Sequence, residues 1–107
     1  MDAAAAAADL LDRHPRPTAV MCGNDLIAIG LMKAARDRGL RIPDDLAVTG
    51  FDDFDFAGVN DPSLTTVRIP GYEMGRQAAS SLIEAFESGE PPVSRCYEVE
   101  TFLRGSV

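Results

Sequence analysis

From Asn24 to Asp53 the chain reads NDLIAIGLMKAARDRGLRIPDDLAVTGFDD, a helix entered from one short strand and left into another. Either Asn24 or Asp25 can cap that helix, by accepting from the free amides of its first turn. Leu26, Ile27, Ile29, Leu31, Met32, Ala34 and Ala35 supply apolar positions. Arg36 and Arg38 place cations in the last turn, and Gly39 suits the residue after the cap. Pro43 then blocks a return to helix. Residues 18–22 and 46–51 are short, nearly continuous apolar runs, the pattern of strands covered on both faces in a parallel sheet. Strand, helix and strand at this spacing predict a right-handed βαβ unit and an α/β fold.

Such a unit fixes where a ligand can sit. In open parallel sheets ligands bind outside the carboxyl ends of the strands. Asn24 and Asp25 end the first strand, Asp52 and Asp53 the second, so the two pairs share one rim. An amide that donates and accepts, beside a carboxylate that only accepts, suits a hydroxyl-rich molecule. The same residues equally serve as a plain helix cap and a turn opener.

Residues 2–13 have strong helix propensity and predict a helix ending before His14. His14, the only histidine, lies where a cation meets the last carbonyls of that helix, a structural place rather than a catalytic one. Residues 64–69 alternate as a strand does and are stopped by Pro70 and Gly71. Residues 72–88 predict an amphipathic helix with Gly75, Ala79, Leu82, Ile83 and Phe86 on one face, stopped by Gly89. A last strand is expected over 96–103.

At 107 residues with 46% hydrophobic and 25% charged residues, this is the composition of one small globular domain. A net charge of −7 argues against nucleic acid as a direct partner of these residues. No apolar run is long enough to span a membrane, and the first residues lack the basic and strongly apolar regions of a signal peptide. Cys22 and Cys96 fall in expected strands without metal-ligand spacing, which suits buried thiols in a reducing, cytoplasmic setting. Asp52, Asp53 and Asp55 have no phosphate loop or basic partner nearby in sequence, so neither a metal nor a cofactor is expected. No Ser/His/Asp or Cys/His constellation points to an enzyme.

CGNDLIAIGLMKAARDRGLRIPDDLAVTGFDD, followed by DPSLTTVRIP, MGRQAASSLI and a closing LRGS, resembles the C-terminal part of the LacI/GalR family of bacterial repressors. The resemblance covers nearly the whole chain. It implies the periplasmic-binding-protein-like type I fold, a three-layer α/β/α parallel-sheet lobe that is incomplete here. By that resemblance residues 1–66 belong mostly to the C-terminal lobe, 67–92 to a hinge crossing and a helix of the N-terminal lobe, and 93–107 to a returning strand. A helix-turn-helix is absent from these residues, so DNA would be reached only through a segment outside them. Asn24 and Asp52 match positions that contact a small-molecule effector, usually a sugar. Asp53 matches a second acidic position with no role assigned. Ile69 and Gly71 stand where many members place polar or aromatic effector contacts.

The central helix is apolar nearly all round, which calls for cover on more than one side. Leu26, Ile29 and Met32, with Phe54 and Phe56 after the second strand, are therefore expected at a homodimer interface, as the resemblance also implies. A helix sandwiched within one chain is the alternative. The apolar face of the 72–88 helix is expected to be covered by another copy or by crystal neighbours. A fragment of a periplasmic sugar-binding transport protein is the second functional reading.

Overall fold

The structure, a computed structural model, describes residues 3–13 and 16–107. It divides into two units, one running to Arg68 and resuming at Thr101–Val107, the other spanning Ile69–Glu100.

The first unit is built on β1 (Ala19–Met21), α2 (Asp25–Asp37) and β2 (Ala47–Thr49), preceded by α1 (Ala3–Leu11) and followed by β3 (Thr66–Arg68). β1 and β2 pair in parallel, Val20 opposite Val48, so the strand–helix–strand reading holds. Asn24 caps α2: it is extended at φ −159° and its Oδ1 accepts from Ile27 N at 2.9 Å. Asp25 adds a negative charge at the positive end of the helix dipole. At the other end Gly39 takes φ +74°, a left-handed geometry that glycine adopts without a Cβ clash, and donates to Arg36 O at 2.8 Å.

β2 lies between neighbours on both edges, because successive amides point to opposite sides of a strand. On one edge Ala47 N donates to Thr18 O, while Thr49 O and Phe51 O accept from Cys22 N and Asp25 N. On the other edge Val48 N, Gly50 N and Asp52 N donate to Ser106 O, Thr65 O and Val67 O. β3 in turn pairs with β4 (Glu100–Phe102). The core gathers Ala28, Leu31, Met32 and Ala35 of α2 with Leu46, Val48, Ala57 and Leu64, and with Ala7 and Leu11 of α1. A large side chain fully enclosed there, such as Met32 or Leu46, stabilises the fold by roughly 1.5–3 kcal/mol.

The second unit is α3 (Gly71–Ser88) and the extended segment after it. Gly89 ends the helix at φ +74° and donates to Ala85 O. Tyr97 Oη donates to Gln77 Oε1 at 3.2 Å, tying that segment to the helix. α3 buries none of its residues; Tyr72 and Phe86 are 86% and 88% exposed.

Several expectations need correction. The strands are three residues each, shorter than the apolar runs, and the chain after β2 turns at Asp52 and Asp53, both with positive φ. Cys96 is exposed, because residues 91–99 form no strand among the described residues; Cys22 is buried as expected. The buried stripe of α2 is Ala28, Leu31, Met32 and Ala35, so Met32, expected at a subunit interface, faces the core, while Ile27 is exposed. The expectation for His14 lies outside the described residues. Among the described residues no helix is long and apolar enough to cross a membrane.

Candidate functional site

The turn after β2 is where the sequence placed its polar rim. Asp52 and Asp53 both have positive φ, 102° and 53°, a region costing a residue with a Cβ about 1–3 kcal/mol. Three amide hydrogen bonds hold them there. Asp52 N donates to Val67 O at 2.8 Å, Asp53 N to Thr66 Oγ1 at 3.3 Å and Phe54 N to Asp25 Oδ2 at 2.8 Å. Asp25 N donates back to Phe51 O at 2.9 Å, so the start of α2 and the end of the β2 extension are joined directly. Asn24 and Asp52 therefore sit on flanking residues of one hydrogen-bonded contact, on the rim predicted for them.

The three carboxylates of this rim have different surroundings. Asp25 is fully buried, with Oδ1 accepting from Thr66 Oγ1 at 2.5 Å and Oδ2 from Phe54 N. A Cβ at Gly50 would run into Asp25 Oδ1, so the close approach of the β2 extension to α2 depends on that glycine. Asp53 is ion-paired on both sides, to Arg68 at 2.5 Å and Arg104 at 2.8 Å, with its side chain only 4% exposed. Both guanidiniums also lie over the Phe102 ring, at 4.2 and 5.1 Å. Burial pushes the Asp53 carboxyl up, but the hydrogen bonds and charges of Arg104 and Arg68 outweigh it and hold it below the usual aspartate value. Asp52 differs from both: it is half-buried, and among the described residues its carboxylate has no hydrogen bond or ion pair. Asn24 has committed its amide oxygen to the helix cap, which leaves its two N–H donors. The rim thus offers an uncommitted acceptor and an uncommitted donor. Gly23 and Phe51, each next to one of these residues, line a cavity of about 450 Å³ with Met21, Cys22, Thr49 and Thr66.

Residues expected at a subunit interface fall in two groups. Leu26 is 62% exposed, and Ile29 is half-buried on the same helix. Phe54 and Phe56 stack at 5.5 Å, the first exposed and the second half-buried. Met32 is fully enclosed within the chain, with Asn60 Nδ2 at 3.7 Å from its sulfur, so it presents nothing to a partner. Sequence reasoning missed Thr66, Phe102 and Arg104 as parts of this rim. LTTVR and LRGS marked Thr66 and Arg104 only as motif letters and left Phe102 unmarked, because contacts across 13 to 51 positions leave no local periodicity.

The whole chain, residues 1–107, matches the periplasmic binding protein-like domain. It is 40% identical over 98 residues to the HTH-type transcriptional repressor CytR of Escherichia coli K12, an alignment covering 91% of this chain and 29% of that protein. It superposes with a TM-score of 0.91 on the transcriptional regulator CelR in complex with cellobiose, at 34% identity, covering 98% of this chain and 32% of that one. A LacI family transcriptional regulator from Arthrobacter sp. FB24 in complex with lactose gives a TM-score of 0.78 at 32% identity, covering 97% of this chain and 40% of that one. The chain therefore spans less than half the length of each. From the match of its full length, the chain belongs to the periplasmic binding protein-like domain family, in the form that LacI/GalR-type regulators carry as their effector-binding domain.

Proposed function

We propose that this chain is the effector-binding and dimerisation portion of a LacI-type DNA-binding transcriptional repressor, and that Asn24 and Asp52 bind a sugar or a similar hydroxyl-rich molecule. The observation that carries the reading is the uncommitted Asp52 carboxylate, the only one of the three at this rim without a partner among the described residues. A sugar hydroxyl can donate to Asp52 while a neighbouring hydroxyl accepts from the Asn24 amide. The sugars named with the CelR and Arthrobacter structures support that ligand class. In the whole protein, preferential binding to one conformation would shift the population of DNA-binding states, with DNA contacted by a segment outside these residues. Such a regulator works in the cytoplasm and performs no catalysis. Leu26, Ile29, Phe54 and Phe56 form the face proposed for a homodimer.

The test is calorimetric titration of the chain with cellobiose and with lactose. Asp52→Asn should weaken binding by about tenfold or more, the ~1.4 kcal/mol expected of a charged hydrogen bond. Asn24→Ser, which keeps a capping oxygen and loses the amide donors, should weaken it too while leaving the helix intact. Equal affinity in wild type and both variants, or no binding of either sugar, would overturn the reading.

A further inference from the structure

Asp53 is the acidic residue of the rim to which sequence gave no role. Its carboxylate is spent on Arg68 and Arg104, so it has little left to offer a ligand. Its two partners are informative. Arg68 is the last residue of the first unit before the chain leaves it, and Arg104 lies three residues after the chain re-enters at Thr101. Phe102, between re-entry and Arg104, carries both guanidiniums on its ring. Arg104 also donates to Leu64 O at 3.0 Å, and its backbone N to Thr65 Oγ1 at 2.8 Å, which fixes it to the start of β3. The backbone of Asp53 is meanwhile bound to the Thr66 hydroxyl that serves Asp25. One nearly enclosed side chain thus fastens a turn of two left-handed residues to the outgoing and the returning strand.

We infer that Asp53 is a positioning residue: clasped by Arg68 and Arg104, it keeps the preceding Asp52 in the left-handed geometry that leaves the Asp52 carboxylate free of the protein's own donors. The part of this inference that concerns ligand rests on the reading of Asp52 as the sugar-binding acceptor; the part that concerns the turn stands without it. Two consecutive residues with positive φ have little reason to persist without tertiary restraint, and aspartate provides it only if its side chain is anchored. The amide bonds to Val67, Thr66 and Asp25 fix the peptide planes. The clasp adds a side-chain anchor to the end of β3 and to the segment just after β4.

The experiment is amide hydrogen exchange, read residue by residue by NMR, on the wild-type chain and on Asp53→Asn, Arg68→Gln and Asp52→Asn. Asparagine tolerates the left-handed region as aspartate does, so Asp53→Asn removes the charge without changing backbone preference. Exchange of the Asp52 and Phe54 amides should accelerate by about tenfold or more in Asp53→Asn, and less in Arg68→Gln, while the Ala28 and Val48 amides keep their protection. Asp52→Asn should leave all four unchanged. A merely global loss of stability would accelerate all four amides together, and that result overturns the inference; so does unchanged exchange at Asp52 and Phe54 in both clasp variants. Should Asp53→Asn fail to fold, Arg68→Gln, altering a half-exposed side chain, carries the test. Cellobiose titration of the same samples separates the two readings. Local exchange that accelerates while the wild type binds no sugar sinks the ligand assignment alone and leaves Asp53 as the anchor of the turn.

Discussion

Replacing Thr66 by valine removes one oxygen from a fully buried side chain and changes almost nothing in volume. That oxygen donates to Asp25 Oδ1 at 2.5 Å and accepts from Asp53 N at 3.3 Å. A hydrogen bond to a buried charged group is worth about 1.5–3 kcal/mol, and the long amide bond adds roughly 0.5, so Thr66→Val should cost about 2–3.5 kcal/mol. A domain of this size has a total stability of roughly 5–15 kcal/mol, so the loss is a large fraction of it. At ~4–8 °C per kcal/mol the melting temperature should fall by about 8–28 °C. Thr66→Ser keeps the hydroxyl and deletes one methyl group, which costs only ~0.8 kcal/mol of apolar burial. Urea unfolding followed by far-UV circular dichroism gives both values. If the serine variant proves as unstable as the valine variant, the methyl and not the hydroxyl matters, and the account of Asp25 as a bonded internal anchor is wrong.

Three further outcomes follow from the same contacts. Met32→Ala should cost about 2–5 kcal/mol by urea unfolding, whereas Leu26→Ala, on the exposed side of the same helix, should stay within roughly 0.5 kcal/mol in the monomer. Because the folded Asp53 carboxyl titrates below its unfolded value near ~3.9, its contribution is fully present above about pH 4 and is lost as pH falls through the folded value. Denaturation at pH 7 and pH 3 should therefore show a smaller pH penalty in Asp53→Asn than in wild type. Burial pushes the Cys22 thiol up to about 11, so alkylation at pH 8 followed by mass spectrometry should label the exposed Cys96 first and leave Cys22 largely unmodified.

The parts of this fold that were legible in sequence are those with local causes. The cap at Asn24, the stop at Gly39 and the apolar runs around α2 each act over a few residues, and together they specified the βαβ unit. The face that α2 buries was not legible. An apolar pattern on every side has no contrast to show which stripe meets the sheet, and Met32 was assigned to the surface for that reason. Asn24 and Asp52 could be placed on one rim from strand ends alone. The division of labour among Asp25, Asp52 and Asp53 could not, because it depends on Thr66, Arg68 and Arg104 approaching from strands far along the chain. Cys96 was misplaced for a related reason: an apolar, alternating segment becomes a strand only where an edge is available to receive it.

The most direct test of the central claim is a heteronuclear NMR titration of the chain with cellobiose, following the Asn24 side-chain amide and the Asp52 carboxyl carbon. Saturable shifts at both, with the Gln77 side chain on α3 undisturbed, are the predicted result. Saturable shifts elsewhere with Asn24 and Asp52 unmoved would contradict the claim that these two residues form the sugar-binding rim.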